Sequence, residues 1–276
     1  MCNRPWYQRL IILCAGVFNN FLLALLLLFT IALIWGAQKL EPVIYSIEED
    51  SAMANATFVK GDSPSEEAKI VGGDTITSIN GKKVSTWDKA QLYLILKSKE
   101  NKYEITVKHE NGEKDTFLVE PAIEKDGKGR ETKKFGINIK PEVEKGFLPS
   151  LKYALKKLIS TMEQMWLTVG NLFTGKISIN DLSGPVGIYS AVGESRKAGV
   201  VNILLLTAYL SINLGIMNIL PIPALDGGHV LFLLIEKITR KKMNQKIEAV
   251  ATNIFFVLLL ALMAYVTLHD IFILVK

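Results

Sequence analysis

Cysteine is nearly absent from this 276-residue chain, which has only Cys2 and Cys14, both towards the N-terminal end. The polar middle of the chain contains none, and this excludes a disulfide framework there. Histidine is almost as scarce: His109, His229 and His269 are the full set. None opens an H-E-x-x-H pair, since His109-Glu110-Asn111-Gly112-Glu113 starts correctly but ends in Glu113, inside a polar hairpin. A catalytic zinc site of that kind needs two imidazoles at i and i+4 on one helical face. The three histidines therefore read as structural or surface groups. No basic stretch is interleaved with aromatic residues, so the net charge of +5 is better explained by lysines flanking a membrane than by nucleic-acid binding. The N-terminal apolar run lacks a small-residue cleavage site and is too long for a signal-peptide core, so it reads as a retained helix.

Long apolar runs are what the chain does have. With a mean hydropathy of +0.26, they point to a few membrane spans plus a polar domain. The first run, Leu10 to Trp35, follows Arg4 and Arg9 and exceeds what is needed to cross about 30 Å of hydrocarbon. Ala15-Gly16 and Asn19-Asn20 interrupt it. Small residues allow close helix packing and buried amides need partners, so this face should meet another helix. A second apolar run, Val201 to Met217, leads through Asn218-Ile219-Leu220-Pro221-Ile222-Pro223-Ala224-Leu225-Asp226-Gly227-Gly228 into a third, His229 to Ile235. Pro221 and Pro223 break the helix just before Asp226, and the backbone freed there must find partners in protein or in a wet cavity. An acid at such a break is a candidate metal or proton site, because a carboxylate in lipid is costly. The plainer alternative is a short loop with an exposed aspartate.

Residues 38–142 are polar and rich in strand and turn signals. Asp74 to Ile79 ends at Asn80-Gly81, a hairpin turn signal. Ser85 or Thr86 can cap a helix from Trp87 to about Lys97. Tyr103 to Val107 alternates, turns at Asn111-Gly112 and returns through Phe117-Leu118-Val119. The charged Glu124 to Glu131 segment reads as an exposed loop, and Phe135 to Ile139 as a last strand. Leu148 to Phe173 has a helical apolar pattern broken by Lys152, Lys156 and Lys157. It reads as an interfacial amphipathic helix or, alternatively, as an ordinary core helix.

The run Asn218, Pro221, Pro223, Leu225, Asp226, Gly227, Gly228 resembles the C-terminal signature of the site-2 protease family, zinc metalloproteases that cut within membranes. The resemblance extends over nearly the whole chain. Ala15-Gly16-Val17-Phe18-Asn19-Asn20 is similar to the family's Ala-Gly-Pro-x-x-Asn, with valine for proline, and Gly184-Pro185-Val186-Gly187-Ile188 is similar to its Gly-Pro-x-Gly-Ile element. Gly61-Asp62, Gly73-Asp74 and Ile79-Asn80-Gly81-Lys82 resemble a PDZ domain of the kind such proteases carry.

The resemblance implies an α-helical integral membrane protein of about three transmembrane helices with an inserted α+β PDZ-like domain. It divides the chain into a first span (1–37), a PDZ-like domain (38–142), an amphipathic helix and linker (143–200) and two further spans (201–276). It makes Asp226 the third ligand of Zn2+, beside two histidines of an H-E-x-x-H motif whose glutamate activates a water. That motif belongs to a span preceding the one at Leu10–Trp35, so an N-terminally truncated and inactive chain is expected, through a misassigned start, an incomplete gene or a split enzyme. Asn218 is a candidate substrate or oxyanion contact. Gly227 and Gly228 would permit close approach of the chain. The implied substrate is a single-span membrane protein, such as an anti-sigma factor or a signal-peptide remnant. The PDZ-like groove would take an extended peptide as an added strand, or the domain would serve only as a spacer or steric plug.

The basic cluster Lys237, Arg240, Lys241, Lys242 and Lys246, with Arg4 and Arg9, places these ends in the cytoplasm of a bacterial cell and the PDZ-like domain outside its inner membrane. Two rival functions are a non-catalytic membrane docking protein and, less in keeping with three spans, a channel or transporter using Asp226.

Overall fold

The computed structural model describes residues 5–64, 68–95, 101–125, 131–139, 142–175, 184–239 and 245–275. Its helices are α1 (Trp6–Trp35), α2 (Trp87–Ile95), α3 (Phe147–Phe173), α4 (Pro185–Lys197), α5 (Val200–Ile219), α6 (Asp226–Thr239) and α7 (Gln245–Val275). Three are long and apolar enough to cross a membrane: α1, α5 and, over Lys246–Phe272, α7. Arg4, Arg240, Lys241 and Lys242 lie outside the described residues.

The helical part is built on α1. Ala24 and Leu28 of α1, Ala154 of α3, and Ala208, Ile212 and Ile216 of α5 form one buried cluster. Alanines and a glycine at the crossing let the backbones approach, as helices in lipid require. A Cβ on Gly215 would stand 2.8 Å from the Phe21 ring. The Ser211 hydroxyl donates to the carbonyl of Asn20 at 2.8 Å. Further along, Asp226 faces Gly16, and Arg9 pairs with Glu236 at 2.9 Å. Rising numbers on α5 and α6 thus meet falling numbers on α1, so the two form one interrupted rod antiparallel to it. The Arg9–Glu236 pair and Lys237, whose Nζ lies 3.6 Å from the Trp6 ring centroid, bring basic residues of α1 and α6 to one end of the bundle.

The polar part comprises strands β1 (Ala37–Gln38), β2 (Ser46–Ile47), β3 (Thr57–Gly61), β4 (Thr75–Ile79), β5 (Lys82–Lys83), β6 (Tyr103–Lys108), β7 (Lys114–Val119), β8 (Ala122–Lys125), β9 (Glu131–Lys134), β10 (Ile137–Asn138) and β11 (Val143–Glu144). An antiparallel five-stranded sheet runs β3-β7-β6-β4-β5. Period-two alternation in β6 sends Tyr103, Ile105 and Val107 inward to meet Ile76, Ile79, Phe117 and Val119. Asn80 (φ +51°) and Gly81 (φ +73°) make the β4–β5 turn, whose left-handed backbone explains the Asn-Gly pair. Strands β1 and β11 pair as Ala37↔Glu144 and Gln38↔Val143, so the segments that lead into and out of this part lie side by side.

Two expectations need correction. The ends of the charged segment are not loop: β8 pairs with β9 from Ala122↔Lys134 to Lys125↔Glu131, because backbone pairing needs no apolar side chains. Residues 126–130 lie outside the described residues. The last strand is shorter than Phe135 to Ile139, because Gly136 turns at φ +73° and leaves only Ile137–Asn138 to pair with β2. Thr86 spends its hydroxyl on Ser160 of α3 at 2.7 Å. The described part of α2 ends at Ile95.

Candidate functional site

The break between α5 and α6 is closed by its own backbone. Ile222 N–H donates to the Leu220 carbonyl at 2.7 Å, and Leu225 N–H to that of Ile222 at 2.8 Å. The Pro223 carbonyl, which lies in the break between the two helices, accepts from the Thr252 hydroxyl of α7 at 3.2 Å. Asp226 is the first residue of α6, where an acidic group is favoured by the helix dipole. The two glycines after it pack directly on the preceding loop. A Cβ on Gly227 would stand 2.3 Å from the Ile219 oxygen, and one on Gly228 would stand 2.2 Å from that of Ile222. Side chains of any size are thereby shut out, and the loop folds back on the first turn of α6.

This folding sets where the carboxylate points. Asp226 Oδ2 lies 3.5 Å from where a Cβ on Gly16 of α1 would be. Gly16 is seven residues from Arg9, and Asp226 is ten from Glu236. At 1.5 Å per residue the carboxylate stands about 10–15 Å inward of the Arg9–Glu236 pair. It is half-buried and has no hydrogen-bond or ion-pair partner among the described residues. Asn218, in the last turn of α5, is likewise half-buried and without a side-chain partner among them.

The histidines are scattered over different elements. His229 Nδ1 meets Glu248 of α7 at 3.1 Å, and His269 stacks on Tyr265 of α7. His109 sits in the polar part, its Nδ1 2.7 Å from Asp74 and its Nε2 3.1 Å from Asp115. Among the described residues no three His, Cys, Asp or Glu side chains gather as a metal would need. Catalytic zinc needs three protein ligands, so Asp226 could supply at most one, and the described residues do not by themselves fit the ion.

Gly184, Pro185 and Gly187 form the start of α4. The N–H groups of Gly184 and Gly187 donate to Asp270 Oδ2 at 2.9 and 2.8 Å. A Cβ on Gly184 would meet that oxygen at 2.9 Å and the Thr267 nitrogen at 3.3 Å. Sequence reasoning missed Asp270, although an acid beside the last apolar run and a bare Gly-Pro-x-Gly helix start are the two halves of that signal. It also missed Asn213 of α5, whose Oδ1 is buried without a partner among the described residues.

A cavity of 560 Å³ lies along α2, lined by Trp87, Gln91, Leu94 and Ile95 on one wall and by Lys133 to Ile137 on the other, with Glu48. It has the form of a groove between a helix and an extended segment.

The family model for peptidase family M50 matches residues 1–262. The chain is 35% identical over 269 residues to the regulator of sigma-W protease RasP of Bacillus subtilis, covering 98% of this chain and 60% of that protein. It is equally similar to the zinc metalloprotease RasP of Bacillus licheniformis, over 270 residues with the same coverage. A Fusobacterium nucleatum protein is 35% identical over 273 residues, with 98% of this chain and 75% of that one covered. The chain thus spans about three-fifths of the length of the Bacillus relatives it matches.

Proposed function

Because this chain belongs to peptidase family M50, we propose that it forms the aspartate-bearing part of an intramembrane zinc metalloprotease. The observation that carries this reading is the Asp226 carboxylate, held at a helix break against Gly16 and left without a protein partner among the described residues. In this reading Asp226 is one ligand of Zn2+, and two histidines outside residues 1–276 complete the site. Asn218, in the last turn of α5 beside the break, would in this reading contact a substrate strand or the oxyanion. Pro221 and Pro223 keep the helix open, while Leu225, Gly227 and Gly228 hold the loop on α6.

We infer regulated cleavage of single-span membrane proteins, anti-sigma-factor-like chains or signal-peptide remnants, in keeping with the name of the Bacillus subtilis relative. The protein would lie in a bacterial inner membrane. Its end with Arg9 and Lys237 would face the cytoplasm, and its PDZ-like domain would lie outside. The cavity along α2 favours a second reading, in which the domain takes an extended peptide and the chain acts as a non-catalytic docking protein.

Co-expressing the chain with an H-E-x-x-H-bearing span taken from a family member tests the first reading. One zinc per pair should be measured by elemental analysis, with cleavage of a single-span reporter, and both should vanish in Asp226→Ala. Zinc content unchanged by that substitution would sink the ligand assignment. Peptide binding without zinc in either form would leave the docking reading.

A further inference from the structure

The lysines of α3 interrupt its apolar pattern, yet Lys157 is not on a solvated face: its side chain is only 9% exposed. Burying an ammonium is costly unless every donor finds a partner. Lys157 Nζ donates to Asp88 Oδ2 in the first turn of α2 at 2.5 Å, and it lies 5.5 Å from the ring centroid of Tyr209 on α5. Burial works against its charge, but Tyr209 and the Asp88 carboxylate outweigh burial and hold its pKa above that of an ordinary lysine. Three elements therefore meet at one nitrogen: the helix that walls the groove, α3, and the helix that leads to the Asp226 break.

Neighbouring bonds reinforce the joint without duplicating it. Thr86 and Ser160 share a buried hydroxyl contact at 2.7 Å, and Gln164 Nε2 donates to the Asp88 carbonyl at 3.2 Å. Lys89 pairs with Glu163, which is half-exposed, and such a solvated pair contributes little. These tie α2 to α3 alone. Lys157 also reaches α5. A buried ion pair adds little net stability over apolar packing but fixes a geometry, because breaking it strands a charge.

We propose that Lys157 is a positioning residue that locks the α2 groove at one orientation over the membrane helices, so that a chain held there is delivered along one path to the Asp226 break. The delivery rests on the protease reading. The locking does not, and its test needs no activity.

The full chain, with Cys2→Ser and Cys14→Ala, would carry spin labels at Gln91→Cys on α2 and Leu33→Cys on α1, both exposed positions, in lipid nanodiscs. Double electron–electron resonance should give one narrow distance distribution. Lys157→Met, of similar volume, should widen it about twofold, since domains joined by small interfaces move relative to one another. Asp88→Asn, at a partly exposed site that does not threaten folding, should widen it as well, and the double variant no further than Lys157→Met alone. Were Lys157 merely stabilising, its replacement would lower the unfolding midpoint and leave the width unchanged, and that result would overturn the proposal. Should Lys157→Met fail to fold, Asp88→Asn decides alone, by the same two outcomes. A widened distribution beside a failed zinc measurement would remove the protease reading and leave the joint standing.

Discussion

Replacing Gly228 with alanine sets two opposed effects against each other. Alanine in a helix is favoured over glycine by about 1 kcal/mol, though less in the first turn, where Gly228 sits. Against that, the new methyl would lie 2.2 Å from the Ile222 oxygen and 2.6 Å from the Pro223 Cα. Both neighbours are backbone atoms in a loop already closed by its own hydrogen bonds, so neither can swing aside as a flexible side chain would. Overpacking of this kind costs about 1–3 kcal/mol, which leaves Gly228→Ala destabilised by about 1–2 kcal/mol net. Gly170 of α3 has nothing within 4 Å of its added Cβ, so Gly170→Ala should instead be stabilised by up to about 1 kcal/mol. Gly16→Ala meets only an ordinary 3.5 Å contact with Asp226 and should not be destabilised. Reversible unfolding of the full chain in mixed micelles measures all three, with hydrogen exchange at residues 219–228 reporting the loop. If Gly228→Ala matched Gly170→Ala, the folded-back loop would be refuted.

The His109 imidazole touches two buried carboxylates, and only its protonated form can donate to both. Burial opposes the charge, but Asp74 and Asp115 raise the pKa above the usual 6.5. A raised folded pKa means this stabilisation is full below about pH 6.5 and is lost as pH rises through the folded value. Unfolding of wild type against His109→Asn should show a gap that shrinks above neutrality; a gap that grew with pH would reverse the assignment. Asp270→Ala strands two N–H groups at the start of α4, each worth about 1–3 kcal/mol. Limited proteolysis should then cut within 184–197 much faster, whereas Asp270→Asn, which keeps an acceptor oxygen, should lie between; equal rates in all three would refute the cap.

What could be read from the sequence was what is local. Asn80-Gly81 and Asn111-Gly112 announce their turns because those residues tolerate a left-handed backbone, and the positive φ values of Asn80, Gly81 and Gly112 show it. Pro221 and Pro223 announced a helix break for a different reason, since proline lacks the N–H and its ring clashes with the preceding turn. The joints across the chain could not be read. Lys157 looks like one more charge on an amphipathic helix until Asp88, 69 residues away, is brought to it. Asp270 has a purpose only once Gly184, 86 residues earlier, arrives at it. The charged segment after Ile123 concealed a strand pair, because ladders are made of backbone and composition is silent about them.

The pairing of Ala37 with Glu144 and Gln38 with Val143 has a modular consequence. Paired strands hold their Cα atoms about 5 Å apart, a gap that a two-residue turn can close. Everything between Gln38 and Val143 is therefore a cassette on a fixed socket. It can be lengthened or exchanged while α1 and α3 keep their spacing, provided that what replaces it carries an acid where Asp88 meets Lys157.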